Sequence, residues 1–447
     1  MHDDLRTAVA ADMPRLKQLL ADLVRMESVS AEGHDPAKVR STGEALVGML
    51  TDWGYDHAQL LESSSGHPAV FAEKPAPPGA PTLLLYAHYD VQPPGPIEAW
   101  ETGPFEPFEK DGRLYGRGAS DDKAGVVMHI GAVAAHGADL PVGVQIFLEG
   151  EEEAGSQGLD EILEKHRHLL KPDVIVIGDG GNWSVGVPAL LTRLRGLAAV
   201  KIELRTLASA VHSGQYGGVV PDALTALVHL LASLHNEDGT VAIPGLVNEE
   251  FDTPLDISEE LVRTQTGAVE GLDLIGEGSL ASRVWSRPAI STLAIDAPPV
   301  SEAINQLVPV ARAKVSMRVP PGQDAKEALA VLKAHLEANV PWGAELSFLF
   351  EESGEATTLD TDNFAVAAWA DAFREAYGVD HVEMGAGGSI PFIATFEEMF
   401  PRAPILVKGC GDPTSAVHAP NESQDLGDLE KATLSEAIAF RLLADAS

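Results

Sequence analysis

The chain has 447 residues and carries 67 acidic against 31 basic side chains, a formal charge of −36. Such an excess of anions argues against nucleic acid or an anionic membrane as partner, because both would repel it. One cysteine, Cys410, leaves no internal disulfide framework and suits a reducing compartment.

No stretch reaches the roughly 18 apolar residues of a membrane span. The opening "MHDDLRTAVAADMPRLKQLL" has neither a basic nor an apolar leader segment, so a cytoplasmic protein is expected. The first helix is read from Leu16, Leu19, Leu20, Leu23 and Val24, which recur at helical spacing. A second is expected from about Pro36 to Trp53, with Gly54 as its stop. Then strands and helices alternate: "TLLLYAH" as strand, "DDKAGVVMHIGAVAAHG" as helix, "VGVQIFLEG" as strand, "LDEILEKHRHLL" as helix and "DVIVIGDG" as strand. Near the end come the helix "DNFAVAAWADAFREAYG", the strand "APILVKGCG" and a closing helix, "LEKATLSEAIAFRLLADA". Continuous apolar strands between helices predict an α/β sheet covered on both faces, with ligands bound beyond the carboxyl ends of its strands.

The middle reads differently. "LAAVKIELR" and "VARAKVSMRV" alternate, "ISTLAIDA" and "AELSFLF" are strands, and "PDALTALVHLLASL" and "DAKEALAVLKAHLEA" are helices. Their order, βαββαβ, is the ferredoxin-like arrangement, with a long insertion over roughly 236–289. The expected organisation is a catalytic α/β domain in two parts, residues 1–191 and 358–447. A ferredoxin-like α+β lid or dimerisation domain, residues 192–357, is inserted between them.

Chemistry-bearing residues gather behind the strands of the α/β part. His88 and Asp90 follow the first, Glu151, Glu152 and Glu153 the second, Asp179 the third, and His418 lies in the turn after the last. Asp121 enters a helix at "RGASDDKAG". If the strands are parallel these groups converge on one rim, and like charges that close must protonate or bind a cation. Oxygen and imidazole donors without thiolate suit zinc, manganese or cobalt. So many carboxylates fit two metals, about 3.5–4 Å apart and sharing a bridge, better than one structural zinc.

The blocks "YAHYDVQPP", "GRGASDDKAG", "EGEEEAGS", "HSGQYGG" and "VHAPNE", in this order over nearly the whole chain, resemble the signatures of the M20 metallopeptidases. They are most similar to the cytosolic, carnosinase-type dipeptidases. The resemblance implies a phosphorylase/hydrolase-like catalytic domain, a lid, a dinuclear centre with zinc as the first choice, and a homodimer. It implies that His88, Asp121 and Asp179 hold one metal, and that Asp121 as the bridge, Glu153 and His418 hold the other. Asp90 would orient His88 and Glu152 would be the general base, leaving Glu149 and Glu151 as flank. From the lid, His212 would donate to the carbonyl oxygen, while Arg318 and the turn "GAGGSIPF", through Gly388 and Ser389, would hold the substrate carboxylate. "DDKAG" stands where the family more often has "DDKG", one residue beyond the expected ligand.

The expected activity is hydrolysis of dipeptides with a free carboxylate. An N-acyl-amino-acid deacylase is the alternative, and a metal-binding scaffold without activity the remote one. A scaffold has no need of Glu152. Ser389 lacks the surroundings of a serine nucleophile, and Cys410 is expected to be a small buried filler.

Overall fold

The structure is a computed structural model and describes residues 2–251, 253, 255, 257–388 and 391–446. The chain divides into two compact units, one of residues 1–192, 359–384 and 391–447, the other of 193–358 and 385–390.

In the first unit two helices, α1 (Asp3–Val24) and α2 (Pro36–Asp52), precede the strands β1 (Asp56–Leu61), β2 (Ala69–Lys74) and β3 (Thr82–His88). Asp35 caps α2 by accepting the Ala37 N–H at 3.0 Å, and Pro36 fills a first-turn position that needs no donor. Gly54, at φ +79°, turns the chain back so that the Tyr55 N–H reaches the Leu50 carbonyl at 3.0 Å. Helix α3 (Lys123–Ala134), strand β4 (Gly143–Glu149), helix α4 (Leu159–His166) and strands β5 (Val174–Ile177) and β6 (Ala189–Leu194) follow.

The second unit holds β7 (Gly196–Arg205), α5 (Ala223–Ala232), β8 (Ala289–Asp296), β9 (Val310–Val319), α6 (Ala325–Ala338) and β10 (Glu345–Gly354). Its sheet runs β8–β9–β7–β10, antiparallel throughout. Leu227 and Leu230 of α5, and Leu332 and Leu336 of α6, pack with Val200, Ile202 and Val315 as its core.

The chain then returns to the first unit through α7 (Phe364–Tyr377), β11 (Ile405–Val407) and α8 (Leu426–Ala446). Here the sheet order is β1–β2–β4–β3–β5–β11–β6. Its centre, β4–β3–β5–β11, is parallel; β2 and β6 run against it, and β1 in turn runs antiparallel to β2. The sequence pattern shows the apolar central strands clearly, and the half-exposed β1 less so, because the outer face of an edge strand carries polar residues. Helix α3 is buried on nearly every side, from Lys123 to Val133, as expected of a helix between a sheet and an outer helix layer. The carboxyl ends of β3, β4, β5 and β11 therefore open on one rim.

Candidate metal centre

His88 ends β3 and is fully buried. Its Nδ1 lies 3.1 Å from the Asp90 main-chain oxygen and 3.4 Å from the Asp90 carboxylate. Donation from Nδ1 turns Nε2 towards Asp121 Oδ1 at 3.0 Å and Asp179 Oδ1 at 4.0 Å. Asp90 does more than orient this ring. Its carboxylate accepts the Glu152 N–H at 3.2 Å, the Glu153 N–H at 3.0 Å and the Ser30 hydroxyl at 2.6 Å. One buried acid thus fixes the first histidine and the main chain beneath the two glutamates.

Asp121 faces two ways. Oδ1 meets His88, while Oδ2 lies 2.9 Å from His418 Nε2. His418 also approaches Glu153 Oε1 at 3.3 Å, and Gln92 Nε2 holds the other oxygen of Glu153 at 2.8 Å. Ala416, His418 and Asn421 all have φ near +60°, so the loop that delivers His418 runs through left-handed backbone that non-glycine residues adopt only under constraint.

Two residues that the sequence reading missed hold this loop and the Asp121 loop together. Glu422, wholly buried, accepts N–H groups from Gly118, Ser120 and Asp121 at 3.0 Å each. It also pairs with Arg117 at 2.6 Å. Their signal lay inside the blocks already noted, "GRGASDD" and "HAPNE", as a lone acid and a lone base some 300 positions apart. Asp122, the neighbour of Asp121, caps α3 through Gly125 N–H at 3.1 Å and accepts the His88 N–H at 3.3 Å.

The expected flank of the acidic run is not solvated. Glu149 and Glu151 are 2% and 7% exposed. Glu149 accepts the Tyr86 hydroxyl at 2.7 Å, and Glu151 accepts the Gly158 N–H at 2.8 Å. Glu149 is the last residue of a central strand and Glu151 lies in the tight turn after it, so both side chains are enclosed before the loop reaches water.

Electrostatics show what the cluster lacks. Among the described residues no lysine or arginine pairs with Asp90, Asp121, Asp122, Glu152, Glu153 or Asp179; their only charged partners are His88 and His418. Burial, then the Asp179 carboxylate, pushes Glu152 up to about 9. Burial, against the pull of His88 and with the push of Asp121, takes Asp179 to about 7. The hydrogen bonds to Asp121 and Glu153 hold His418 up at about 10. For Asp121 burial acts upward, but the two histidines outweigh it and its carboxyl is held well below the usual range. Protons here do the work of cations.

A metal fits this donor set. His88, Asp121 and Glu153 offer ligand atoms within 4.8 Å of one another, and so do His88, Glu152 and Asp179. The second group contains the acid expected as base, so Glu152 stands as near to His88 and Asp179 as a ligand would. Cys410 is buried, its thiol pushed up by burial and then by Asp122, and it belongs to neither group.

The residues expected from the second unit are described within that unit. His212 ends the two-residue strand Val211–His212 and is exposed. Its Nδ1 accepts the Gly214 N–H at 3.0 Å, which leaves the proton of the neutral ring on Nε2, pointing away as a donor. Arg318 lies half-buried on β9, on the same face as Arg312, Lys314 and Ser316. Arg312 is paired with Glu203 at 2.7 Å, whereas Arg318 has no acidic partner among the described residues. Arg195, another residue the sequence reading missed, is buried, its Nε unpartnered, and burial and then Arg318 push it down to about 10. Gly388 is half-buried with open space where a side chain would begin; Ser389 lies outside the described residues.

Comparison with known proteins gives this centre its class. Residues 84–437 match the model of peptidase family M20/M25/M40, and the chain belongs to that family. It is similar to the cysteinylglycine-S-conjugate dipeptidase of Corynebacterium striatum, 37% identical over 366 residues, or 80% of either chain. It is also similar to the Beta-Ala-His dipeptidase of Rattus norvegicus, 29% identical over 92% of this chain and 85% of the relative. In fold it resembles the solved dipeptidase Dug1p of Saccharomyces cerevisiae, with a TM-score of 0.85, 22% identity and coverage of 99% and 98%.

Proposed function

We propose that this chain is a dinuclear, metal-dependent dipeptidase acting on substrates with a free C-terminal carboxylate. The observation that carries the reading is Asp121, whose two oxygens face two different imidazoles at 3.0 and 2.9 Å, the posture of a carboxylate shared between two cations. His88 and Asp179 would hold one ion and Glu153 and His418 the other, with zinc the first choice for oxygen and imidazole donors and manganese or cobalt next. Two such ions supply Lewis acidity, making water more acidic and polarising the scissile carbonyl.

The protein's own groups do the rest. Glu152 accepts a proton from the attacking water as its oxygen bonds to the carbonyl carbon. It returns that proton to the amine as the C–N bond breaks. His212 Nε2–H donates to the carbonyl oxygen as charge gathers there. Arg318, with Gly388 and Ser389, takes the substrate carboxylate, and a guanidinium without an acidic partner suits that task.

We assign the protein to the cytoplasm; among the described residues no helix is long and apolar enough to cross a membrane. The working form is a homodimer. In its support, β8 is an edge strand whose residues from Ser291 to Asp296 are exposed, with Leu293 and Ile295 open to solvent. An uncovered edge of this kind suits pairing with a second copy.

The test is a matched panel on metal-loaded protein: Cys-Gly, β-Ala-His, the C-terminal amide of each, the N-acetyl form of each, and N-acetyl amino acids. Cleavage of the free dipeptides with loss of rate on the amides supports the reading. Cleavage confined to N-acetyl amino acids would replace it with a deacylase on the same centre.

A further inference from the structure

Behind the strand ends lies an ionic cluster that the chemistry above does not use. His129 of α3, Lys408 just after β11 and Glu436 of α8 are all fully buried. His129 Nδ1 lies 2.6 Å from Glu436 Oε1, and Lys408 Nζ lies 2.9 Å from Oε2 of the same carboxylate. The other ring nitrogen of His129, Nε2, lies 3.0 Å from the Tyr86 main-chain oxygen. A carbonyl oxygen only accepts, and an ionised carboxylate only accepts, so both ring nitrogens carry hydrogen and His129 is an imidazolium. Burial acts to raise Glu436, yet His129 and Lys408 bring it down to about 2, in keeping with an anion between two cations.

The cluster is built against one particular ligand. Asp179 is flanked by Gly178 and Gly180. A side chain at Gly178 would begin 2.7 Å from His129 Nε2, and one at Gly180 would begin 2.8 Å from the Lys408 main chain. A side chain on Gly409 would collide with the Gly180 carbonyl. The Tyr86 oxygen that takes His129 also accepts the Gly178 N–H at 2.7 Å, and the Lys408 N–H donates to Ile177 at 3.0 Å. Of the two residues flanking Asp179, Gly178 packs against the His129 ring and shares the Tyr86 oxygen with it, and Gly180 packs against the Lys408 main chain. The grip reaches β3 two residues before His88.

We infer that His129, Glu436 and Lys408 are positioning residues that clamp the Gly178–Gly180 segment and so set the affinity of the metal held by His88 and Asp179. This rests on the two-metal reading given above. Outer partners that orient a ligand commonly change metal affinity by about 10–100-fold when lost. A cluster that merely held helices to the sheet would weaken both metals alike.

Equilibrium dialysis of the purified full chain against zinc, with metal counted per chain, separates these cases without an assay of turnover. Wild type binds two equivalents, and Asp179→Asn identifies which step belongs to the His88 side. His129→Gln, which keeps a donor towards Tyr86 but no charge, weakens that step by about 10–100-fold and leaves the other within about twofold. Glu436→Gln gives the same pattern and serves if His129→Gln does not fold. Equal loss on both steps, or no loss on either, overturns the clamp while leaving the two-metal reading intact. A wild-type chain that takes up one equivalent overturns the two-metal reading and the clamp with it.

Discussion

The floor of the metal centre and the groups of the second unit proposed to meet substrate are built to different standards of order. On the floor the two supporting acids are fully engaged: Asp90 holds two backbone N–H groups, a serine and a histidine, and Glu422 holds three N–H groups and an arginine. In the second unit His212 is exposed with only Nδ1 engaged, and Arg318 has no acidic partner among the described residues. The difference follows from what each must do. A metal centre must hold its geometry against the repulsion of its own carboxylates, which requires rigid, hydrogen-bonded ligands. Groups that meet a substrate have their partners supplied by it, so their hydrogen-bonding capacity stays open until then.

This contrast can be broken in several ways, in order of expected effect. Removing metal with a chelator should abolish turnover and restoring zinc or manganese should recover it; activity that survives complete removal, verified by metal analysis, would sink the proposed mechanism. Replacing His212 by Ala should lower kcat by about 10²–10³-fold, the usual effect of losing one donor to a developing oxyanion. Dialysis should show its metal content intact, since His212 belongs to neither ligand group. Arg318→Met should act on binding, raising KM for a free dipeptide by about 10–100-fold, as a lost charged hydrogen bond of roughly 1.5–3 kcal/mol requires. The same variant should treat a dipeptide amide as wild type does; an equal loss on both substrates would remove the carboxylate clamp from the account.

The smallest effect sharpens the electrostatic half of the comparison. Glu152 at about 9 and Asp179 at about 7 are raised above ordinary carboxyl values, so near neutrality the metal-free protein retains protons here that ordinary carboxyls would have lost. Cations favour the ionised forms. Metal binding near neutrality should therefore release protons, and affinity should rise with pH until these groups have ionised, by up to about tenfold per pH unit for each proton released. Calorimetry in two buffers of different ionisation enthalpy reads the number directly; no release at pH 7 would contradict it.

Much of this centre was legible because strand ends advertise themselves. An apolar run such as "TLLLYA" followed by "HYD" puts chemistry at a rim, and the same logic reaches Asp179 after "DVIVIG". Supporting residues gave no such signal. Glu422 and Arg117 meet across 305 positions, and His129 and Glu436 across 307, each on a segment that looks ordinary alone. Glu149 and Glu151, read only as flank, are buried because the end of a central strand and the turn just after it are enclosed before the loop reaches water, which a run of acids does not reveal. Arg195 was passed over because an arginine in "LTRLRG" looks like any surface base until its burial is seen.

The central claim is that Glu152, standing as close to His88 and Asp179 as a ligand, is the base. Glu152→Gln tests it most directly, with metal stoichiometry and kcat measured on the same preparation. The account predicts two metals retained per chain and a fall in kcat of about 10²–10⁴-fold, the usual contribution of a general base. Loss of a metal would make Glu152 a ligand, and unchanged turnover would remove it from the chemistry altogether.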